Sequence, residues 1–285
     1  MTSGTQTHTV RSADGTTITF ERTGSGPPLV LVDAAGHFRG LSSFSSGLID
    51  RLARDFTVVH YDRRGRGDSG DTPPYAVERE VEDLGALTQN VGGAACLYGF
   101  SSGGLVALQA AARGLPVPAM VLLEPPIGTS EDRPAQAAFT AELDALVSAG
   151  RRDAAVEHFM VGIGVPPGVV EQMRGSPAWT AMASVAHTLV CDSRVSEATT
   201  TELLAAVTVP TLVLDSQGSS DDLTGMAASV GAQLPSGSHR SLPGSWHGVA
   251  DEDLAPVLVE FLRGRAPATP PRDHLPEGAS RRGGQ

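Results

Sequence analysis

The chain has 285 residues, a formal net charge of −11 and no lysine, so that all 21 of its basic residues are arginine. Hydrophobic residues make up 40% and charged residues 19%, which allows a sizeable core and argues against global disorder. An acidic surface argues against nucleic-acid binding. No apolar run approaches the roughly 18–20 residues that a membrane-spanning helix needs.

The cysteines and the N-terminus indicate in which cellular compartment the protein is expected and whether it is expected to bind a metal. Cys96 and Cys191 are the only cysteines, and residues 1–8 are polar without the apolar core of a signal peptide. One disulfide is an alternative, but two reduced thiols in a cytoplasmic protein are the simpler interpretation. No CxxC, HExxH or EF-hand spacing occurs, so we expect no metal and no other cofactor. The expected partner is a small-molecule substrate, not a nucleic acid or a membrane, with a homodimer left open.

Short apolar strands and helices alternate in the first part of the chain. Strands are predicted near residues 8–11, 16–22, 29–32, 56–61, 94–98 and 118–124. Helices are predicted near 44–54, 77–91 and 102–113. Asp14-Gly15 is a hairpin signal between the first two strands. This order is typical of βαβ units around a buried parallel sheet.

The second part contains a long interruption of this pattern. Residues 128–206 are rich in alanine and helical in pattern. The alternation resumes with a strand at 211–215, a helix at 226–234, a strand at 239–242 and a helix at 251–263. We therefore predict an α/β core formed by residues 1–127 and 207–265, with a mostly parallel sheet flanked by helices. Residues 128–206 are predicted to form a helical cap after strand six, and 266–285, rich in Pro, Gly and Arg, a disordered tail.

One serine lies in a motif for nucleophilic catalysis. Residues 99–103 read Gly-Phe-Ser-Ser-Gly and fit G-x-S-x-G, a weak signal alone because 33 of the 285 residues are glycine. The motif follows an apolar strand and precedes a helix, which is the setting of a nucleophile elbow. Such a turn would raise the Ser101 hydroxyl above the sheet and direct the Ser102 backbone N–H at an oxyanion.

A serine hydroxyl needs an adjacent base, and the base needs an orienting acid. Of the eight histidines, only His247 lies in a loop between the last predicted strand and the last helix. It is therefore the expected base. His239 lies inside a predicted strand. His187 lies in the cap, where it has either a structural role or a substrate contact.

Two positions along the chain are candidates for the orienting acid. Glu124 follows four apolar residues and precedes two prolines, so its carboxylate needs a partner if the strand is buried. Asp221 and Asp222 lie after the next strand, in a Ser/Asp cluster typical of a solvated loop, and Asp215 lies at that strand's tip. The sequence favours Glu124 and leaves the three aspartates as alternatives.

Together these residues resemble the α/β-hydrolase superfamily along nearly the whole chain. Residues 61–69, Y-D-R-R-G-R-G-D-S, are similar to its D-x-R-G-x-G-x-S stretch, whose arginines and glycines shape a loop beneath the site. The glutamate after strand six and the Ser-Ser-Gly elbow are similar to the zearalenone-lactonase-like branch. The resemblance implies a triad of Ser101, Glu124 and His247, without implying the same lactone as substrate.

The chain departs from the superfamily after strand three. Many members have His-Gly there, whereas this chain has Asp33-Ala34. The resemblance places the second oxyanion N–H at Ala35, with Ala34 as the alternative. A charge on Asp33 near the oxyanion would oppose catalysis. Asp33 is therefore expected either to turn away and accept hydrogen bonds from the loop, or to act on the substrate.

The cap is expected to cover the pocket. Trp179, Met182 and Ala186 recur at helical spacing, which is typical of a packed core and also fits a pocket wall. His37, just after the oxyanion loop, is expected either at the entrance or on the loop surface. If part of this face lines the cleft, the substrate is apolar and of medium size.

The expected function is hydrolysis of an ester or lactone through an acyl-enzyme. Two alternatives remain from the sequence. One is a non-hydrolytic enzyme of the same fold, such as a cyclase, lyase or perhydrolase, which the Asp33 departure motivates. The other is a ligand-binding protein without catalysis. Turnover of aryl esters and lactones separates hydrolysis from both.

Overall fold

A computed structural model describes residues 7–128 and 132–268 of the protein. Its main feature is an eight-stranded sheet in the order β1-β2-β4-β3-β5-β6-β7-β8. The strands are β1 (Thr7–Arg11), β2 (Thr17–Thr23), β3 (Pro28–Val32), β4 (Thr57–Tyr61), β5 (Cys96–Phe100), β6 (Met120–Leu123), β7 (Thr211–Ser216) and β8 (Gly237–Leu242). The pairs β1–β2 and β2–β4 are antiparallel and the other pairs are parallel. The predicted mostly parallel sheet is confirmed.

Helices cover both faces of this sheet. The helices are α1 (Ser46–Leu52), α2 (Val77–Asn90), α3 (Ser102–Ala112), α4 (Arg133–Ser148), α5 (Arg152–Gly162), α6 (Pro167–Met173), α7 (Pro177–Ser184), α8 (His187–Ala198), α9 (Thr201–Leu204), α10 (Asp221–Gln233) and α11 (Asp251–Arg263). Alternate strand residues point to opposite faces. Val30 and Leu97 pack with α2, α3 and α10, whereas Leu29 and Leu31 pack with α1 and α11. Because each side chain is fully buried, each stabilises the fold by about 1.5–3 kcal/mol.

Two helices begin elsewhere than the sequence predicts, and in both cases a serine caps the first turn. Ser45 Oγ accepts a hydrogen bond from the backbone N–H of Leu48, so α1 begins at 46 and not at 44. Ser220 Oγ accepts from the N–H of Leu223, so α10 begins at 221 and not at 226. Serine at this position satisfies N–H groups that have no partner inside the helix.

The segment between β6 and β7 contains helices α4 to α9 and forms an insertion in the sheet pattern. We call these helices the insertion. It has its own apolar cluster, which includes Phe159, Trp179 and Leu189 and also contacts Ala35 of the loop after β3. The insertion therefore packs on the core directly beside that loop. The exact limits of the predicted core and cap stay a prediction, and the predicted tail lies outside the described residues from 269 onward.

A small hairpin follows β8 that the sequence does not predict. Strands β9 (Gly244–Ser245) and β10 (Gly248–Val249) pair antiparallel, so residues 246 and 247 form its tip. Within residues 7–128 and 132–268, no helix combines the length and the apolar character needed to cross a membrane.

Candidate active site

Ser101 forms the sharp turn between β5 and α3. Its backbone has φ 52° and ψ −123°, and the residue stands alone between the last strand residue and the first helical residue. The flanking glycines are required by close contact. A Cβ atom on Gly103 would lie 2.0 Å from the carbonyl oxygen of Val32, and one on Gly99 would lie 2.6 Å from Cα of Gly104. The turn is therefore a nucleophile elbow in its geometry as well as in its motif.

Ser101, Glu124 and His247 share a rare backbone conformation. Their φ angles are 52°, 46° and 53°, and no other non-glycine residue among those described has positive φ. Such a conformation costs a side-chain-bearing residue on the order of 1–3 kcal/mol and is concentrated at functional sites. Backbone geometry therefore selects, without reference to any motif, the three residues that the sequence predicts for the chemistry.

Glu124 directly follows β6, and its side chain is fully buried. Oε2 accepts a hydrogen bond from Nδ1 of His247 at 2.5 Å, and Oε1 accepts from the backbone N–H of Ser216 at 2.8 Å. Burial alone would raise the pKa of Glu124, but the hydrogen bonds from His247, Ser219 and Ser216 hold it below its ordinary value of 4.5. Because an ionised carboxylate only accepts, Nδ1 carries the hydrogen, and Nε2 is left as the proton-accepting nitrogen.

His247 lies at the tip of the β9–β10 hairpin, with its side chain 17% exposed. Its backbone N–H donates to Ser219 Oγ at 2.9 Å. The imidazole packs against the ring of Phe100, with a centroid distance of 4.7 Å, and against Trp246 at 5.4 Å. The imidazole therefore lies beside the residue that precedes Ser101. The Ser101 hydroxyl makes no hydrogen bond with another described residue, a common state for a catalytic serine without substrate.

The alternative acids lie elsewhere. Asp221 and Asp222 are exposed in the first turn of α10. Asp215 is buried, accepts a hydrogen bond from Ser241 Oγ at 2.9 Å and pairs with His239. Of the four candidate acids, Glu124 is the one that contacts the imidazole of residue 247. The last residue of β7, Ser216, and Ser219 in the loop after it supply hydrogen-bond donors to Glu124.

The backbone N–H groups of Ala35 and Ser102, both beside the elbow, have no acceptor within the described part of the chain. Ala35 lies in the loop after β3, and Ser102 is the first residue of α3, where N–H groups have no partner inside the helix. The near contact between Gly103 and Val32 brings these two segments together. A free N–H at a helix N-terminus favours negative charge, so the arrangement can hold an oxyanion.

Known sequences and structures agree with this fold. The sequence model of the alpha/beta hydrolase family matches residues 18–260. The chain belongs to this family. An alpha/beta hydrolase from Sphaerobacter thermophilus DSM 20745 is 46% identical, with a TM-score of 0.80 and coverage of 89% of this chain and 99% of that one. The predicted superfamily is confirmed, whereas the zearalenone-lactonase-like branch stays a prediction.

Two more distant structures share the fold. An esterase from Thermogutta terrifontis is 21% identical, with a TM-score of 0.66 and coverage of 93% of this chain and 100% of that one. The enol-lactonase from Burkholderia xenovorans LB400 is 20% identical, with a TM-score of 0.64 and coverage of 89% and 99%. No curated protein matches the sequence.

The side chain of Asp33 points toward its own loop. This residue is where the sequence departs from the common pattern of alpha/beta hydrolases. Oδ1 accepts from the backbone N–H of Ala34 at 2.8 Å, and Oδ2 accepts from Ser42 Oγ at 2.9 Å. Burial alone would raise the pKa of Asp33, but nearby His60 and His37 hold it below its ordinary value. These contacts match the first of the two sequence interpretations, in which the carboxylate serves the loop and not the substrate.

The expected pocket residues of the cap divide into two groups. Trp179 is 4% exposed and donates from Nε1 to Asp153 Oδ1 at 2.8 Å, so its ring packs inside the insertion, and its substrate contact stays a prediction. The residues that cover the oxyanion loop are Met182 and Leu189. Their side chains lie 3.2 and 3.1 Å from the position of a Cβ atom on Gly36. Apolar side chains therefore cover the loop after β3.

Of the two remaining histidines predicted as substrate contacts, His37 lies in the loop after β3 and His187 is the first residue of α8 in the insertion. Nδ1 of His37 is 2.8 Å from the carbonyl oxygen of Ala35. Nε2 of His187 lies 3.9 Å from Asp71 Oδ2, and burial lowers the pKa of His187. Both side chains have a partner within the protein, and their substrate contacts stay predictions.

Sequence reasoning misses one buried residue beside the site, Asp192 in α8. Its carboxylate pairs with Arg63 and Arg66, both at 2.7 Å. The sequence treats these arginines only as parts of a shaped loop. Since a buried arginine requires a carboxylate partner, the three arginines of residues 61–69 are the signal that an acid from elsewhere must reach the loop. The sequence cannot say which acid of the insertion does so.

Proposed function

We propose that the protein is a serine hydrolase that cleaves carboxylic esters, lactones included, through an acyl-enzyme formed on Ser101. One observation carries the proposal. A buried glutamate accepts a hydrogen bond from the imidazole of His247, which packs against Phe100 just before the elbow serine, and Ser101, Glu124 and His247 share the rare positive φ.

The proposed reaction follows from the site's hydrogen-bonding groups. His247 Nε2 takes the proton of Ser101 as the hydroxyl attacks the carbonyl carbon, and Glu124 stabilises the resulting imidazolium. The N–H groups of Ala35 and Ser102 bind the oxyanion, and each such donor is typically worth about 3–4 kcal/mol of the barrier. The imidazolium then protonates the leaving alkoxide. Water attacks the acyl-enzyme with His247 again as base, which releases the acid and restores Ser101.

The surroundings of the site favour an apolar substrate of medium size. Met182 and Leu189 lie over the oxyanion loop, and Phe100 and Trp246 flank the imidazole. Trp246 is 45% exposed, so its ring is available to a substrate beside the base. Apolar and aromatic walls with a few polar groups are typical of small-molecule sites. Aryl esters and medium-sized lactones fit this description.

The non-hydrolytic alternatives were motivated by a charge on Asp33 near the oxyanion. Hydrolysis is favoured over them because the contacts of Asp33 remove that motivation. That carboxylate is occupied by Ala34, Ser42 and Ser43 of its own loop. It therefore leaves the oxyanion site without an opposing charge directed at it.

The test is turnover of p-nitrophenyl esters of graded acyl length and of lactones of graded ring size. We expect a burst of p-nitrophenol equal to the amount of enzyme, followed by slower steady turnover. Ser101→Ala should lower kcat by about 10⁴-fold or more, since the nucleophile is lost. Ser184→Ala, an exposed serine in the insertion, is the matched control and should keep wild-type kcat. Wild-type rates in Ser101→Ala, or no hydrolysis of any ester or lactone, would reject the proposal.

A further inference from the structure

A single carboxylate of the insertion joins three segments of the core beside the site. Asp192 is 2% exposed, and its Oδ1 accepts from Arg63 Nη1 at 2.7 Å and Ser102 Oγ at 3.0 Å. Its Oδ2 accepts from Arg66 Nη2 at 2.7 Å and from the backbone N–H of Gly36 at 3.3 Å. These partners come from the loop after β4, the start of α3 and the loop after β3.

Two hydrogen bonds, one to each peptide unit that flanks Ala35, restrain the direction of its N–H. That N–H belongs to the peptide unit whose carbonyl is that of Ala34, and this carbonyl accepts from Arg66 Nη1 at 3.0 Å. In a trans peptide the C=O and N–H point in opposite directions, so holding the oxygen aims the N–H. The next peptide is held through its own N–H, that of Gly36, by Asp192. The peptide units on both sides of Ala35 are therefore restrained.

The second oxyanion donor is held by the same carboxylate. Ser102 Oγ bonds to Asp192 and also lies 3.2 Å from Arg63 Nη1. The side chain of Ser102 is thus fixed from one side, while its N–H stays free on the other. Both N–H groups proposed to bind the oxyanion are restrained by contacts that meet at one aspartate.

The electrostatics of this cluster suit a site for negative charge. Burial alone would raise the pKa of Asp192, but Arg66 and Arg63 hold it below its ordinary value, so the carboxylate stays ionised. Arg63 is shared with buried Glu80 at 2.6 Å. Two arginines and two carboxylates make a formally neutral cluster, which fixes the dipoles without opposing an oxyanion.

We propose that Asp192 is a positioning residue of the hydrolysis, which aligns the N–H groups of Ala35 and Ser102 for the oxyanion. The insertion then contributes to the chemical step as well as to covering the site. This inference rests on the proposed esterase function. It predicts that loss of Asp192 weakens transition-state binding and leaves ground-state binding of the ester unchanged.

The test compares Asp192→Asn with wild type, in full-length protein, on a p-nitrophenyl ester that wild type hydrolyses. Asparagine keeps the size but loses the charge that pairs with Arg66 and, beside Glu80, with Arg63. We expect kcat to fall by about 20- to 100-fold with KM within about threefold of wild type. Affinity for an arylboronic acid, which forms a tetrahedral adduct on the serine, should fall by a similar factor. If Asp192 had only a structural role, kcat and boronate affinity would not fall by the same factor.

The matched control is Asp83→Asn. Asp83 is also buried and also pairs with an arginine of the same stretch, Arg64, through two hydrogen bonds of 2.8 Å, but it touches neither oxyanion segment. We expect the two variants to lose thermal stability to a comparable degree, because each removes one buried carboxylate from a buried arginine. Asp83→Asn should keep kcat and boronate affinity within about twofold of wild type.

A milder variant covers the case in which Asp192→Asn does not fold. Ser102→Ala removes one contact to Asp192 and keeps the N–H, and we expect kcat and boronate affinity to fall together by about fivefold with KM unchanged. The inference is overturned if the folded Asp192→Asn, or Ser102→Ala in its place, keeps both values within twofold of wild type, or if Asp83→Asn loses kcat equally. A wild-type protein inactive on every ester instead rejects the proposed function, and the positioning role with it.

Discussion

A carboxylate at the end of a buried strand is stable only when donors replace its lost hydration, and Glu124 has such donors. The backbone N–H of Ser216 and the ring N–H of His247 bond to its two oxygens. The first contact comes from the last residue of β7, shortly before Asp221 and Asp222, the alternative acids of the sequence analysis. The position of the acid along the chain is thus exchangeable, as long as its oxygens reach Nδ1 of the histidine.

The acid assignment is tested by three neutral substitutions. Glu124→Gln should lower kcat about 100-fold or more, because an amide neither fixes the required tautomer nor stabilises the imidazolium. Asp221→Asn and Asp222→Asn are the matched controls, since both side chains are exposed on α10, and should stay near wild type. The measurement is steady-state kinetics on one aryl ester. A larger loss in either aspartate variant than in Glu124→Gln would contradict the assignment.

Residues with a local signal could be predicted from the sequence, and residues whose role depends on distant contacts could not. Ser101 has glycines at fixed offsets, and Glu124 stands out as a charge after an apolar run. Asp192 has no local signal, since an aspartate in a helix is usually solvated. It is buried only because two arginines, more than 120 positions earlier in the chain, require it. Asp33 shows the reverse case. Its position after β3 suggested a role in the reaction, but its partners are those of an ordinary loop aspartate.

At the scale of elements, the elbow is a connection in which two segments of backbone are in close contact. The N-terminus of α3 touches the end of β3, so closely that a side chain at Gly103 would overlap the carbonyl oxygen of Val32. Helix order and sheet type follow from apolar periodicity, which the sequence shows directly. The β9–β10 hairpin does not, because two-residue strands carry no periodic pattern. Its tip nevertheless carries His247, the proposed base.

The elbow contact predicts opposite effects for two glycine-to-alanine changes in helices. Gly103→Ala should lower the free energy of unfolding by about 2–3 kcal/mol, since its Cβ would lie 2.0 Å from a backbone oxygen. Gly225→Ala in α10 meets no atom within 4 Å and should raise the stability by about 0.5–1 kcal/mol. Urea denaturation measures both. Equal effects of the two changes would show that the tight packing at the elbow does not limit stability.

At the scale of the molecule, the insertion and the core share their packing. Val195 of α8 and Leu204 of α9 belong to the apolar cluster between the sheet and α3, and Ala35 of the core belongs to the insertion's own cluster. Gln109 of α3 donates to Thr199 at 2.8 Å. With Asp192 these contacts make the insertion a continuous part of the domain. A separately folding lid would have its own closed core and a polar interface with the rest.

This shared packing predicts one cooperative unfolding transition, and the two tryptophans allow a direct test. Trp179 lies buried in the insertion, whereas Trp246 is 45% exposed on the hairpin. In Trp246→Phe, fluorescence reports the insertion alone, and the loss of an exposed ring should change stability by less than about 0.5 kcal/mol. Its urea transition should coincide with that of far-UV circular dichroism, which follows the whole chain. A fluorescence transition at a lower urea concentration than the circular dichroism transition would mean that the insertion unfolds by itself. In that case the contacts of Asp192 and Gln109 would be too weak to couple it to the sheet.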